Sequence, residues 1–164
     1  MQLLDELRKE LEQEYQITRK FFERYPEDKN DYKPHEKSMA MLPLAVHVGE
    51  VFGWPGFMIH TDEVDFADAG ERPKVETREE LLKHLDENYQ KSKEVLETVT
   101  VEQLQPRWTL KYNGQELASW TKYEAIRHSL NQATHHRAQL GVYYRLNDIP
   151  VPPSYGPSAD DESF

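Results

Sequence analysis

The sequence lacks cysteine altogether. Disulfide bonds, thiolate metal ligands and a cysteine nucleophile are therefore excluded, and any metal site must use nitrogen or oxygen donors. No apolar run approaches the roughly 20 residues that span a bilayer. The N-terminus, Met1-Gln-Leu-Leu-Asp-Glu-Leu-Arg8, lacks the basic, apolar and small-residue order of a signal peptide. We expect a cytoplasmic protein without a membrane partner.

Basic residues are also scarce. The chain has 20 Lys and Arg against 30 Asp and Glu, which gives a formal net charge of −10. A nucleic-acid or anionic-membrane partner needs a basic surface to neutralise phosphates, so neither is expected. Apolar residues make up 37% of the chain and support a folded core. We expect one domain over residues 1–164, with 150–164 as an extended proline-rich tail.

Four stretches have the apolar spacing of helices, which predicts an all-α fold of the four-helix-bundle type. The first ends at Pro26. The second, at about 38–59, is apolar almost all round and should be deeply buried, with Gly53 and Pro55 kinking or interrupting its end. The last two each begin with a capping box, in which Thr and Glu satisfy each other's backbone N–H groups. These boxes are Thr77 with Glu80 and Thr121 with Glu124.

The segments between these helices show two further patterns. The acidic stretch from about His60 to Glu76 suits a long crossover between the second and third helices. Before the fourth helix, Asn113-Gly114 lies between alternating apolar residues and predicts a small two-stranded β-hairpin with a type I′ turn. The proline-rich tail should run extended, and its last acidic residues should be frayed.

The histidines give the clearest functional signal, because three of the seven lie in the fourth predicted helix and His47 lies on the buried second one. Residues four apart share a helix face at about 6 Å, so Gln132 and His136 can reach one ion. His128 lies too far along the helix from His136, and His135 is rotated by about 100°. His47 is the best-placed third ligand. Three protein ligands and an open position form the catalytic pattern for zinc or nickel-like ions.

Each of these residues also has a structural interpretation that the sequence leaves open. His47 and His136 could be core histidines bonded to neighbouring carbonyl or carboxylate groups. Glu50, one turn after His47, could orient that imidazole, bind the ion or be a surface charge. Arg137 could bind an anionic group, although such an arginine more often ties helices together.

Two groups of residues are expected to have no part in the site. The first consists of aromatic side chains that should serve packing, namely Trp54, Trp108, Trp120 and Tyr143. The second consists of histidines in loops or on exposed helix faces, namely His35, His60 and His84.

The C-terminal motifs resemble those of a known family. The pattern His128-x-x-Asn-x-x-x-His-His136-Arg-x-Gln139 is followed by Tyr144-Arg-Leu-x-x-Ile-Pro-Val-Pro-Pro-Ser-Tyr-Gly-Pro-Ser158. The combination resembles the signature of the DinB-like superfamily, helix-bundle proteins grouped with the bacillithiol- and mycothiol-dependent S-transferases. The resemblance covers nearly the whole chain, because His47 and Trp54 fall where the family's second helix carries a histidine and an aromatic residue.

The resemblance implies a divalent metal, zinc or nickel, which the family typically holds with three histidines. His47 and His136 match two of these positions, and Gln132 stands where the middle histidine is expected. A glutamine oxygen binds such ions more weakly than imidazole, so the ion is expected to be weakly bound, exchanged or absent. His128 matches another frequent family histidine and is expected to support the ligands rather than join them.

Two functions follow from the resemblance. In the first, the protein is a metal-dependent thiol S-transferase or hydrolase that acts on a small molecule, with a low-molecular-weight thiol as possible co-substrate. Glu50 and His128 are then the candidate catalytic residues. In the second, it is a non-catalytic, stress-associated or small-molecule-binding module whose metal site is weakened or lost. A homodimer is expected. A ferritin-like di-iron site is not, because no Glu-x-x-His motif occurs.

Overall fold

The structure is a computed structural model that describes residues 2–68, 70 and 73–163. Within these residues the fold is mostly helical, with five α-helices and one small sheet. The elements in chain order are α1 Gln2–Glu23, α2 Met41–Val51, α3 Trp54–His60, β1 Glu63–Asp65, α4 Arg78–Thr98, β2 Arg107–Tyr112, β3 Gln115–Thr121 and α5 Lys122–Leu146. Short 3-10 turns lie at 27–29, 66–68 and 102–104.

The core lies between the long helices. α1 and α2 each pack against both α4 and α5, and α3 packs against the same two helices. Aliphatic and aromatic side chains fill the space between them, and each fully buried one stabilises the fold by about 1.5–3 kcal/mol. Examples at most 3% exposed are Leu7, Leu11, Phe22, Leu44, Leu81, Leu85, Leu130 and Tyr144. Both predicted capping boxes are present and begin α4 and α5, which confirms these two helix starts.

The second predicted helix is interrupted, as Gly53 and Pro55 indicate. The directions of α2 and α3 differ by 47°, and Phe52 and Gly53 lie between the two helices. Pro55 has no N–H with which to continue the helical hydrogen bonding. The hydroxyl of Ser92 on α4 stabilises the break, because it donates to the Phe52 carbonyl at 2.6 Å and accepts from the Gly56 N–H at 3.0 Å.

Burial of this interrupted stretch is less complete than predicted. The inner face of α2 is buried, but Met39 before it is 39% exposed and Phe57 on α3 is 43% exposed. The bend explains the exposure of Phe57, because α3 leaves the direction of α2 and borders a cavity that opens to solvent. In the described part of the chain no single helix is long and apolar enough to cross a membrane, and only the bent pair α2–α3 passes that test jointly.

The sheet has one strand more than predicted. β2 and β3 form the predicted hairpin, and Asn113 and Gly114 have φ values of 51° and 76°, as a type I′ turn requires. β1, from the acidic connection, pairs in parallel with β2. The Asp65 carboxylate fixes this strand to the hairpin by accepting from the backbone N–H groups of Asn113 at 3.0 Å and Gly114 at 2.6 Å. A strand of three residues is too short for its periodicity to be detected.

The tail over 150–163 contains no helix or strand, but its acidic residues are not frayed as predicted. Asp160 accepts hydrogen bonds from Arg145 at 3.0 and 2.5 Å, and Asp161 accepts one from Arg24 at 2.8 Å. Hydrogen bonds from Ser163 and Arg24 lower the pKa of Asp161 to about 2. Ion pairing with α1 and α5, which is a long-range property, therefore holds the end of the chain in place.

A buried ion pair fixes α5 against α1. Arg137 is 2% exposed and Glu14 is 6% exposed, and Nη2 of the arginine lies 2.6 Å from the carboxylate. Arg137 also donates to the Thr18 hydroxyl at 3.0 Å and to the Tyr155 hydroxyl of the tail at 2.7 Å. This confirms the structural interpretation of Arg137. Because Arg137 follows His136, the same contacts fix the rotation of α5 that turns His136 toward α2.

Candidate functional site

The structure brings together the two imidazoles that the sequence singles out. His47 lies on α2 and His136 on α5, two helices that pack against each other. The centroids of the two rings are 4.7 Å apart and their planes meet at 76°. The side chain of His47 is 20% exposed, so the pair can be reached by solvent.

The Nδ1 atom of each ring faces an oxygen acceptor on its own helix. His136 Nδ1 lies 2.9 Å from Gln139 Oε1, and His47 Nδ1 lies 3.5 Å from Glu50 Oε2. Such partners favour a proton on Nδ1 and leave the lone pair of Nε2 available to a metal ion. Burial lowers the pKa of His136 below its ordinary value of 6.5, so this ring is neutral at pH 7, the form that binds metals. The donor set therefore fits a divalent ion at these two residues.

Gln132 and His128 contact each other one turn apart on α5. Gln132 Nε2 lies 3.4 Å from His128 Nε2, and the His128 ring is stacked on Trp120 with the centroids 4.9 Å apart. With His128 protonated on Nδ1, the Gln132 amide donates to this ring and its oxygen is left as a donor atom for an ion. His135 is exposed, and its Nε2 contacts Gln139 at 3.2 Å.

The third ligand has the least support among the predicted metal ligands. In the part of the chain that the structure describes, no three His, Cys, Asp or Glu side chains are grouped so that they could hold an ion. Glu50 faces His47 at 3.5 Å, a position suited to orienting the imidazole. The neutral amide of Gln132, which the sequence predicts as the third protein ligand, contacts His128 in the structure.

A cavity of about 340 Å³ is lined by His47 and His128, whereas His136 is not among its lining residues. Its polar lining residues come from α2 and α5 and are His47, His128 and Gln132. Its other lining residues are apolar and come from α3, the acidic connection and the sheet: Trp54, Phe57, Met58, Val64, Phe66, Trp108, Leu110 and Trp120. The acidic connection thus forms part of the cavity wall. A wider depression of about 560 Å³ between α1 and α4 is lined mainly by charged residues and by no histidine.

The tryptophans pack in or against the core, as expected, and they also line the cavity. All three tryptophans of the chain line the cavity, although Trp108 is also a core residue at 3% exposure. Trp108 and Trp120 are direct partners in the hairpin register, and this pairing around the Asn-Gly turn is the sequence signal that could have located them. For Tyr143 the packing interpretation is correct, because it is buried and its hydroxyl donates to the Met39 carbonyl at 3.0 Å.

His84 does not have the exposed position that was expected for it. His35 and His60 are exposed, but His84 is half-buried on α4 and its ring lies against α2. A Cβ added at Gly49 would lie 2.8 Å from His84 Cδ2, so the absence of a side chain there allows the ring to fit. Burial lowers the pKa of His84 below its ordinary value of 6.5. Its role is the contact between the two helices.

Two solved structures of DinB-like proteins have a similar fold. A DinB-like protein from Bacillus subtilis is 22% identical, with a TM-score of 0.69 over 87% of this chain and 92% of that chain. A protein from Exiguobacterium sibiricum that is attributed to the DinB family is 15% identical, with a TM-score of 0.66 over 90% and 93%. At these identities the likeness concerns the fold alone.

The chain belongs to the DinB family, whose model matches residues 1–162. This confirms the resemblance inferred from the C-terminal motifs. No curated protein sequence matches the chain.

Proposed function

We propose that the protein is a metal-dependent enzyme that acts on a small molecule in the cavity. His47, His136 and Gln132 hold a divalent ion, zinc or nickel, on a scaffold arranged as a four-helix bundle. The observation that carries the proposal is the 4.7 Å separation of the two ring centroids. Two imidazoles this close can share one ion at bonds of about 2.0–2.1 Å each.

The surrounding residues have distinct parts in this proposal. The ion, when bound, makes a coordinated thiol or water more acidic. Glu50 and Gln139 hold the imidazoles in the tautomer that leaves Nε2 free, and His128, stacked on Trp120, orients the Gln132 amide. Glu50 and His128 are the candidate groups to accept a proton during the reaction.

Thiol transfer is the reaction class we favour over hydrolysis. The cavity walls are apolar, and such walls favour an organic co-substrate over water near the reacting atoms. The sulfur of a low-molecular-weight thiol would attack an electrophilic carbon of the molecule in the cavity, losing its proton to a base as the leaving group departs. The cytoplasm is the compartment in which such thiols stay reduced.

Metal titration of matched variants tests the proposal. His136→Ala should weaken metal binding by more than the roughly 10- to 100-fold that loss of a supporting group causes. His35→Ala is the control, because this histidine is exposed in a loop outside the site and should leave the affinity unchanged. Gln132→His should strengthen binding. Equal affinities of the His35→Ala and His136→Ala proteins would contradict the proposed ligand set.

A second candidate function is a non-catalytic binding module, as the missing third histidine indicates. Within the described residues no three His, Cys, Asp or Glu side chains could hold an ion together. The Gln132→His variant distinguishes the two functions. If the wild-type protein binds no ion at micromolar metal while Gln132→His does, the enzyme proposal fails for this chain.

A homodimer is also part of the proposal. Val142 and Leu146, one turn apart on α5, are 56% and 58% exposed, and exposed apolar side chains of this size are common at subunit contacts. Light scattering at micromolar concentration should give the mass of two chains. A monomer mass would remove the dimer from the proposal.

A further inference from the structure

The walls of the cavity are unusually rich in aromatic rings. Every tryptophan of the chain lines it, Trp54 from α3, Trp108 from β2 and Trp120 from β3. Phe57 and Phe66 add two more rings from α3 and from the acidic connection. Aromatic faces and edges pack best against another π system, with a gain of about 0.5–1.5 kcal/mol for each pair beyond the burial of area. A planar aromatic ligand suits these walls better than an aliphatic one.

Among the described residues, the side chains that line the cavity offer no counter-charge to an ionic ligand when no metal is bound. None of the side chains that the structure places in its lining is Asp, Glu, Lys or Arg. A buried charge without a partner is costly, whereas the His47, His128 and Gln132 side chains can form hydrogen bonds with a neutral polar group. The chemistry of the lining therefore favours an uncharged molecule that carries one polar end.

Two of the aromatic rings are exposed. Phe57 is 43% exposed and Phe66 is 46% exposed, although both line the cavity. They belong to different segments, and the Asp65 contacts with the hairpin turn hold the second segment in place. A ligand that covers these rings removes apolar surface from water, which contributes about 25 cal/mol for each Å². The exposed rings thus add a source of affinity for an apolar ligand.

We infer that the cavity binds an uncharged aromatic small molecule, with its ring among the tryptophans and its polar end toward Gln132 and His128. A volume of about 340 Å³ suits a small ligand. The inference rests on the proposed function where it makes this molecule the substrate of the enzyme. Binding of the molecule itself requires no metal ion.

Tryptophan fluorescence provides a direct test, because each tryptophan of the chain borders the cavity. Three ligands that share one ring and differ in charge are titrated into chelator-treated protein: 4-nitrobenzyl alcohol, 4-nitrobenzoate and 4-nitrobenzyltrimethylammonium. Nitroaromatic rings quench indole on contact, and calorimetry provides an independent affinity. The alcohol should quench saturably and bind at least about tenfold more tightly than either ion, a difference of about 1.4 kcal/mol.

Two results of this titration would overturn the inference. One is quenching by the alcohol that stays linear to millimolar concentration, as with free N-acetyltryptophanamide, without heat of binding. The other is an ion that binds as tightly as the alcohol, which would assign the cavity to a charged ligand.

Matched variants locate the binding site. Phe57→Ala removes a ring from the cavity mouth and should weaken binding by about 2- to 12-fold. Tyr112→Ala removes a ring that is 53% exposed on the hairpin that carries Trp108 and Trp120 but does not line the cavity, and it should leave binding unchanged. Both positions are exposed, so folding should persist, and circular dichroism checks this. Equal affinities of the two variants would place binding elsewhere.

The two proposals can fail separately. Saturable quenching without any metal binding would remove the enzyme proposal and keep this inference. Metal binding that depends on His136, without saturable quenching by the neutral ligand, would keep the enzyme proposal and remove this inference.

Discussion

Replacement of Arg137 by methionine tests whether the buried ion pair fixes α5 against α1. Methionine keeps much of the length of the side chain and leaves the Glu14 carboxylate, 6% exposed, without its 2.6 Å partner. Removal of one partner of a buried pair costs about 3–5 kcal/mol, because the remaining charge is desolvated and unpaired. Against a free energy of unfolding of about 5–15 kcal/mol, this is a large fraction of the stability.

Urea unfolding followed by tryptophan fluorescence measures this loss. The double variant Glu14→Met/Arg137→Met should recover most of it, because a buried pair replaced by apolar side chains is often neutral or stabilising. Arg145→Met is the matched control. Arg145 also binds a carboxylate, that of Asp160 at 2.5 Å, but its side chain is 51% exposed, and its loss should cost at most about 1 kcal/mol.

Two outcomes would refute this reasoning. One is a loss in Arg137→Met no larger than in Arg145→Met. The other is a double variant that is as unstable as the sum of the two single changes, since a real pair requires coupling between them.

Three further predictions concern the contact between α2 and α4, the protonation of buried histidines and the cap of α5. Gly49→Ala places a Cβ 2.8 Å from His84 Cδ2 and should lower the free energy of unfolding by about 1–3 kcal/mol, of which His84→Ala in the same chain should restore part. Burial lowers the pKa of His84 and of His136, so below pH 6.5 the unfolded chain binds more protons. The free energy of unfolding should therefore be fully present above pH 6.5 and fall as the pH drops through the lowered pKa values of the two histidines. Urea unfolding at pH 7.5 and 5.5 measures this fall, which should be smaller in His84→Gln than in wild type. Thr121→Ala removes the hydroxyl that accepts from the Glu124 N–H at 3.2 Å and should cost about 0.5–2 kcal/mol in a thermal melt, whereas an unchanged melting temperature would mean that the box is not formed.

Features determined by neighbouring residues could be predicted from the sequence. The capping boxes at Thr77 and Thr121, the break at Pro55 and the turn at Asn113-Gly114 each depend on a few consecutive residues. Their backbone conformations follow from local hydrogen bonds and allowed φ values, so the pattern was sufficient to locate them.

Features determined by contacts between distant segments could not be predicted. β1 exists because its three residues pair with β2, and Asp161 is ordered by Arg24 rather than frayed. His84 looked exposed because the close approach of α2 at Gly49 is visible only in three dimensions. In each case the partner lies far along the chain, where periodicity carries no information.

The candidate site also combines local features, which could be predicted, with contacts between distant segments, which could not. Helical spacing places Gln132 and His136 on one face of α5, and this could be predicted without a structure. The choice of His47 as their partner depended on the burial predicted for α2 and on the family resemblance. The cavity could not be predicted, because its walls come from α2, α3, the acidic connection, the hairpin and α5.

X-ray absorption at the zinc edge tests most directly whether His47 and His136 share an ion. Protein loaded with one equivalent of zinc should show scattering from two imidazoles, with Zn–N distances of about 2.0–2.1 Å, and the His136→Ala protein should show one imidazole fewer. The same number of imidazoles in both samples, or none in the wild type, would contradict a metal site formed by α2 and α5.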